Sequence, residues 1–499
     1  MIAIDSNKAW KKLALLFSGV SVILFLLSKD TKIFADDAGF MSLFKEVGTR
    51  NLVMDVLNYV PGRNLHILWQ DIAFAITSTE AADFWQYRLL QAIVFSSIAL
   101  IVSLIVYSQN QRIIPASITG LFVCFFPIYQ EVLWWPSALP MHLFSSLFIL
   151  LMLYIFQTCK PFALKMLLIN LFAVFAIFTY DQSAAVALAF LGYVMLIEFR
   201  KFREQKISPT WLALESLLFT ALVFYYAFLV LGRNGNGPVL DGNSAVRFAK
   251  NLVLPLTYSW SKSQFITLTF LLAVLIGVVF KWRSINCYAR AMVKAELGKK
   301  YIDFLPNKER SFPPQLLFML SFIAYIPTAL WYVSPRHLYL PMVLFILGIG
   351  SLPIDRVNKF LLRICVSVCI LCLILFVAFT YQIQQSQEFK SQVRSAAYLN
   401  VDAQLSEKEK SKCINIQSNN EWTKMLFRYE MTNPALAFFT GNDSYYFANC
   451  QSALSLELLL TEDCVAFVSG QWESPKWMFF VETKFMNGNP RFSKSPTCK

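Results

Sequence analysis

The sequence predicts an all-α polytopic membrane protein of about eleven transmembrane helices. A long first outer loop and a small extracytoplasmic C-terminal domain, α/β and disulfide-containing, complete it. Three observations carry this. Of 499 residues, 57% are hydrophobic and 15% charged, with a mean hydropathy of +0.51; a soluble domain is about 45–50% apolar and about 25% charged. The apolar residues gather in runs near the ~20 residues that cross a ~30 Å hydrocarbon core. Basic residues alternate from loop to loop, as they do when Lys and Arg are retained in the cytoplasm. These features exclude a soluble enzyme, a disordered chain and a nucleic-acid-binding domain. The net charge of +13 belongs to cytoplasmic loops instead.

The first apolar run, Leu13–Leu27, follows Lys8, Lys11 and Lys12, and no small-x-small cleavage site comes after it. It therefore reads as a retained span over 10–28, not a signal peptide. The outer loop 29–88 comes next, with amphipathic pieces Phe40–Leu57 and Leu65–Thr77 expected along the membrane surface. Further spans are expected at 89–107, 113–127, 141–157, 163–180, 184–198, 211–231, 264–280, 314–332, 338–353 and 360–381. Gly232–Gly242 reads as a flexible outer loop, and 281–313 as a basic cytoplasmic loop at anionic headgroups. The transmembrane part is thus 1–381, and the tail 382–499 is long enough for a small domain. Cys413, Cys450, Cys464 and Cys498 suggest up to two disulfides there, with three possible connectivities. The ten cysteines fit no zinc spacing.

With the N-terminus inside, twenty Lys and Arg fall on the cytoplasmic segments. The short outer loops near 128–140, 181–183 and 333–337 carry one basic residue, Arg336. Eleven spans then put the C-terminal tail outside.

A polar constellation sits on that outer side. It comprises Asp36 and Asp37 directly after the first span, Arg63 and His66 later in the same loop, and Glu131 and His142 around the second outer turn. Asp181 and Gln182 follow in the third, then Arg336, His337 and Tyr339 before the tenth span. All three His of the chain lie here, whereas the inner loops are basic and otherwise plain. Ionisable groups at the ends of apolar helices are costly unless they face a cavity or one another. Several of them on separate loops therefore suggest one shared pocket. A carboxylate at a membrane edge can accept a proton from a hydroxyl or hold a divalent cation. Arg63, Arg336 and His337 can hold a phosphate, Arg through a planar fork. Because the clamp lies at the membrane boundary, that phosphate can belong to a lipid.

An N-terminal span followed at once by an acidic pair, Asp36-Asp37, resembles the GT-C superfamily of integral membrane glycosyltransferases. That superfamily includes oligosaccharyltransferase catalytic subunits, protein O-mannosyltransferases and aminoarabinose transferases. Ser334-Pro335-Arg336-His337-Leu338-Tyr339-Leu340-Pro341 resembles an Arg-x-Leu-Tyr-x-Pro-like segment that opens a late helix in several bacterial members. Tyr180-Asp181-Gln182-Ser183 resembles a Tyr-Glu-Gln segment, with Asp for Glu. The resemblance spans roughly 10–350. The Trp-Trp-Asp sequence of oligosaccharyltransferases is missing, which argues against transfer to an Asn sequon; Trp134-Trp135-Pro136 is not its equivalent.

The resemblance implies a polyprenyl-phosphate-linked sugar donor and an acceptor glycan, lipid or protein at the extracytoplasmic face of a bacterial inner or plasma membrane. By the same resemblance Asp36 or Asp37 is the base that activates the acceptor, and inversion occurs by direct displacement. No cofactor is certain, and a divalent cation stays open. The competing classes are a lipid-linked substrate transporter or flippase and an O-antigen polymerase or ligase. A transporter needs polar groups near the midplane, often in two related halves; here the charges cluster at one end and no repeat is visible. The polymerases and ligases place functional Arg and His in a large late loop, whereas the long loop here comes first.

Overall fold

The computed structural model describes residues 6–31, 64–78, 83–126, 131–159, 161–203, 208–231, 246–251, 313–330, 335–352, 359–410, 412–417, 436, 438, 464–469, 476–478, 481–484 and 492–495. Asp36, Asp37, Arg63, Phe40–Leu57, Gly232–Gly242, the span 264–280, most of the loop 281–313, Cys450 and Cys498 lie outside them.

Helices occupy ten of the eleven expected spans. They are α1 (Ser6–Ser28), α3 (Trp85–Asn110), α4 (Ile113–Phe125), α6 (Ser145–Thr158), α7 (Phe162–Thr179), α8 (Asp181–Arg203), α9 (Pro209–Leu231), α10 (Pro314–Leu330), α11 (Tyr339–Gly350) and α12 (Lys359–Asp402). Three shorter helices, α2 (Asn64–Ile76), α5 (Glu131–Trp134) and α13 (Glu407–Lys410), lie between or after them. Among the described residues, six helical segments can cross a membrane by length and composition: Lys8–Ser28, Trp85–Asn110, Leu139–Thr158, Phe162–Thr179, Asp181–Phe199 and Pro209–Phe228. Large apolar side chains cover their outward faces: Leu15 is 77% exposed, Leu217 69% and Phe228 74%. In water such a surface would aggregate, whereas in hydrocarbon it is the solvated side.

Local chemistry sets the turns. Gln111 ends α3 in the left-handed region at φ 54°, and its N–H bonds back to the Tyr107 carbonyl at 2.8 Å. Arg112 is extended and Pro115 sits in the first turn of α4, so the chain reverses at once. α3 and α4 then pack closely. A Cβ on Gly120 would lie 2.7 Å from the Ala99 carbonyl and 2.4 Å from the Phe17 ring of α1. Small residues let helices approach closely where no hydrophobic effect drives them together.

Two elements depart from the expectation. The 65–77 piece is helical, as expected, but does not simply lie along a surface: His66, Gln70 and Asp71 of α2 are all buried. α12 does not end where the apolar run ends. The stretch Gln382–Asp402 has neither Gly nor Pro and is rich in Gln and Ser, so nothing breaks the helix when it turns polar. The domain boundary expected at 381 lies inside it.

Beyond α12 the described tail is β-rich. A three-stranded sheet has the order β1 (Cys413–Gln417), β2 (Cys464–Ser469), β5 (Phe492–Ser495). β1 runs parallel to β2, with Cys413 opposite Cys464, and β5 is antiparallel to β2. β3 (Lys476–Met478) and β4 (Val481–Lys484) form a separate antiparallel pair. Phe438 of the tail meets Phe84 edge-on, ring centroids 5.6 Å apart. The tail therefore touches the bundle at the end where α3 begins.

Candidate active site where separate loops meet

Three of the predicted outer loops converge on one cluster. The first contribution comes from a single π-helical turn, Leu139–Phe144, that leads into α6. Pro140 lies in its first turn, where an amide N–H has no helical partner to lose. One extra residue per turn re-aims the side chains that follow, and such turns occur frequently at functional sites. His142 lies on it and is buried.

The second contribution is the junction of α7 and α8. Tyr180 is extended, at φ −158° and ψ 147°, and α8 starts on the next residue. The Ser183 hydroxyl donates to the Ala176 and Tyr180 carbonyls, both at 2.7 Å, and so ties the two helix ends together. Asp181 opens α8, where the helix dipole favours a negative charge. Its Oδ1 accepts the Tyr226 hydroxyl of α9 at 3.0 Å.

The third is the 3₁₀ turn Pro335–Leu338 that opens α11. It brings the His337 ring 5.6 Å from His142 and 6.4 Å from Tyr180, stacked on the latter at 11°. His142 and Tyr180 meet edge-on at 4.9 Å. Gln182 Nε2 donates to the His337 carbonyl at 2.7 Å and to the Thr328 hydroxyl, which fixes the turn against α8 and α10. Arg336, on the same turn, places its guanidinium carbon 3.5 Å above the Trp135 ring. That is close cation–π stacking.

A hydrogen-bonded frame beneath this cluster holds the beginning of α3. Arg88 is fully buried. Its Nε donates to the Thr31 carbonyl at 2.8 Å and its Nη1 to Gln91 Oε1 at 2.8 Å and the Leu133 carbonyl at 3.4 Å. Gln91 Nε2 donates in turn to the Val132 and Trp135 carbonyls, at 2.7 and 3.0 Å. One cation thus joins the end of the first span, a few residues before Asp36, to the turn that carries Trp135. α2 is tied in separately. Trp69 Nε1 donates to the Thr179 hydroxyl at 3.2 Å, and Gln70 Nε2 donates to Tyr87 Oη at 3.0 Å.

Of the residues expected to bind substrate, His142, Gln182 and His337 come together, with Asp181 beside them and Arg336 on the same turn as His337. His66 is buried on α2, whose neighbour Trp69 reaches the end of α7. Glu131 opens α5. Tyr339 packs elsewhere: its ring stacks on Phe95 of α3, centroids 5.5 Å apart. Arg88, Gln91 and Trp135 were not expected at the site. Among the described residues no group of three or more His, Cys, Asp or Glu is placed to hold a metal ion.

No family model matches the chain, and neither does any curated protein sequence. Solved structures do match. The crystal structure of ArnT from Cupriavidus metallidurans bound to undecaprenyl phosphate superposes with a TM-score of 0.51 at 11% identity, over 91% of this chain and 93% of that one. The apo state of the same enzyme gives 0.49 at 10% identity, over 92% and 93%. The chain shares the fold of the lipid-bound structure over nearly its whole length.

Proposed function

We propose that this protein is a GT-C-type membrane glycosyltransferase that takes a sugar from a polyprenyl-phosphate-linked donor. The observation that carries the reading is the meeting of His142, Tyr180, Gln182 and His337 from three separate loops, with Arg336 beside them. They meet in a fold shared with a protein crystallised with undecaprenyl phosphate. Arg336, with Arg63 and His337, neutralises the lipid phosphate as it departs. Asp36 or Asp37 takes the proton of the acceptor hydroxyl, whose oxygen displaces the phosphate at the anomeric carbon with inversion. Chemistry takes place on the extracytoplasmic face of a chain with eleven spans, a cytoplasmic N-terminus and an extracytoplasmic domain over 382–499. In that domain the register sets Cys413 opposite Cys464. Neighbouring strands lie about 4.8 Å apart, within disulfide reach, so we pair these two.

The test is binding followed by transfer. Purified protein is expected to bind undecaprenyl phosphate and to pass sugar from a polyprenyl-phosphate donor in membranes of its source. Asp36→Asn or Asp37→Asn is expected to lower transfer by about 10²–10⁴-fold while lipid binding stays. Full transfer in both single variants and in the double variant removes the acidic pair from the mechanism.

A further inference from the structure

α2 carries a buried acid that the mechanism above does not use. Asp71 is 4% exposed, and its Oδ2 is enclosed with no hydrogen-bond partner. No ion pair involves it among the described residues. Gln70, the preceding residue, has spent its amide nitrogen on Tyr87, whose hydroxyl donates onward to the Pro136 carbonyl at 2.8 Å. Its Oε1 is also buried and without a partner. Gln182, at the His337 turn, repeats the pattern, with its nitrogen committed twice and its Oε1 unmatched.

An enclosed polar atom without a partner costs roughly 1–3 kcal/mol, and more when charged. Such atoms deserve an account. The atoms on Asp71, Gln70 and Gln182 are oxygens. The amide oxygens only accept, and so does the Asp71 carboxylate once it has ionised, so what completes them in that state must donate. Ionised Asp71 repels a phosphate, which is itself an acceptor and negatively charged. What remains is the part of the substrate rich in O–H or N–H groups.

We propose that Asp71, assisted by Gln70, binds the hydroxyl or amino groups of the transferred sugar, while the phosphate is held separately by the Arg336 turn. The inference rests on the glycosyltransferase reading above. Asp71 here is a binding residue for the sugar and not the base. The acceptor-rich side of α2 and the cationic 3₁₀ turn then grip the two ends of one donor.

The test is thermal unfolding of the full-length protein in detergent. The probes are free glucose, mannose, galactose, arabinose and glucosamine, and, separately, undecaprenyl phosphate. At least one free sugar is expected to raise the melting temperature of the unchanged protein. In Asp71→Asn its apparent affinity falls about ten- to a hundredfold, the loss of one hydrogen bond to a charged group. The shift produced by undecaprenyl phosphate is kept. A preference for glucosamine over glucose assigns an amino partner, and the reverse a hydroxyl. An equal sugar response in the variant, or none in the unchanged protein, overturns the inference. Should Asp71→Asn not fold, Asp71→Ser repeats the comparison. The glycosyltransferase reading fails by a different result, no response of the unchanged protein to undecaprenyl phosphate while the sugar response persists.

Discussion

Arg336 shows how one residue is prepared for an anion. Stacking on Trp135 engages the face of the guanidinium, while its N–H donors lie in the plane of the group and point outward from its edge. Arg336→Lys keeps the charge and loses both the planar fork and the stacking, so it is expected to weaken undecaprenyl phosphate binding in part. Arg336→Ala is expected to weaken it much further. Trp135→Ala removes about 1 kcal/mol of cation–π attraction and is expected to cost roughly fivefold in the same assay. Asp71 makes a prediction about stability instead. Burial raises its pKa from 3.8 to about 7. The folded state therefore binds a proton that the unfolded chain has already lost. Its contribution to stability is full below pH ~4, falls as pH rises through 7, and is constant above that. The charged and titratable groups on elements packed against α2 are Tyr87, Arg88 and Tyr107 of α3, His142 of the π turn and Lys165 of α7. Asp71→Asn removes only the Asp71 dependence. Melting curves from pH 5 to 8 are expected to show the variant gaining on the unchanged protein until pH ~7. His142, Gln182 and His337 were legible in the sequence because polar residues on one alternate set of loops need a common explanation. Asp71 and Arg88 were not, since an acid in an amphipathic stretch and an Arg at a span's edge look solvated until their burial is seen.

At the scale of elements, the helices were legible from apolar runs alone, because a bilayer demands length and composition from any segment that crosses it. The π turn was hidden. Leu139–Phe144 continues the apolar pattern of α6, and one extra residue in a turn leaves no mark on composition. The continuation of α12 was hidden for the opposite reason: the apolar signal stops while the helix does not. Close packing of α1, α3 and α4 gives a direct test at Gly120. A methyl there would meet the Ala99 carbonyl at 2.7 Å, and backbone cannot swing away as a side chain tip can. Gly120→Ala is expected to lower the melting temperature in detergent by several degrees, and Gly120→Leu to abolish folded protein. Gly19, whose Cβ would meet nothing within 4 Å, is the control: Gly19→Ala is expected to be neutral or slightly stabilising.

For the whole molecule, the alternation of charge predicts the side on which each loop lies. In intact cells, an impermeant thiol reagent is expected to label the tail after reduction and to leave Cys287 untouched. Labelling of Cys287 would reverse the proposed face. Mass spectrometry of the unreduced protein is expected to recover a peptide joining Cys413 to Cys464. The tail's strands could not be read in order from the sequence, because β1 and β2 pair in parallel across some forty-six intervening residues. Parallel pairing needs such a crossover and leaves no local turn signature.

The stacking of Tyr339 on Phe95 fixes how deep the cluster lies. Phe95 is ten residues inside α3, so the start of α11 sits about 15 Å below the start of α3 at 1.5 Å per residue. The 3₁₀ turn recovers at most about 6 Å of this at roughly 2 Å per residue, leaving Arg336 and His337 some 10 Å short of the rim. α4 and α11 are also only 13 and 12 residues long. At 1.5 Å per residue each is under about 20 Å long, short of a ~30 Å hydrocarbon core. A lipid phosphate resting at an ordinary interface must therefore sink to reach the cluster, or the bilayer must thin to bring it there. Mismatch costs fractions of a kcal/mol per Å. Undecaprenyl phosphate is thus expected to bind most tightly in vesicles of short-chain phosphatidylcholine and progressively less tightly as the acyl chains lengthen, so the host membrane's thickness itself sets the occupancy of the site.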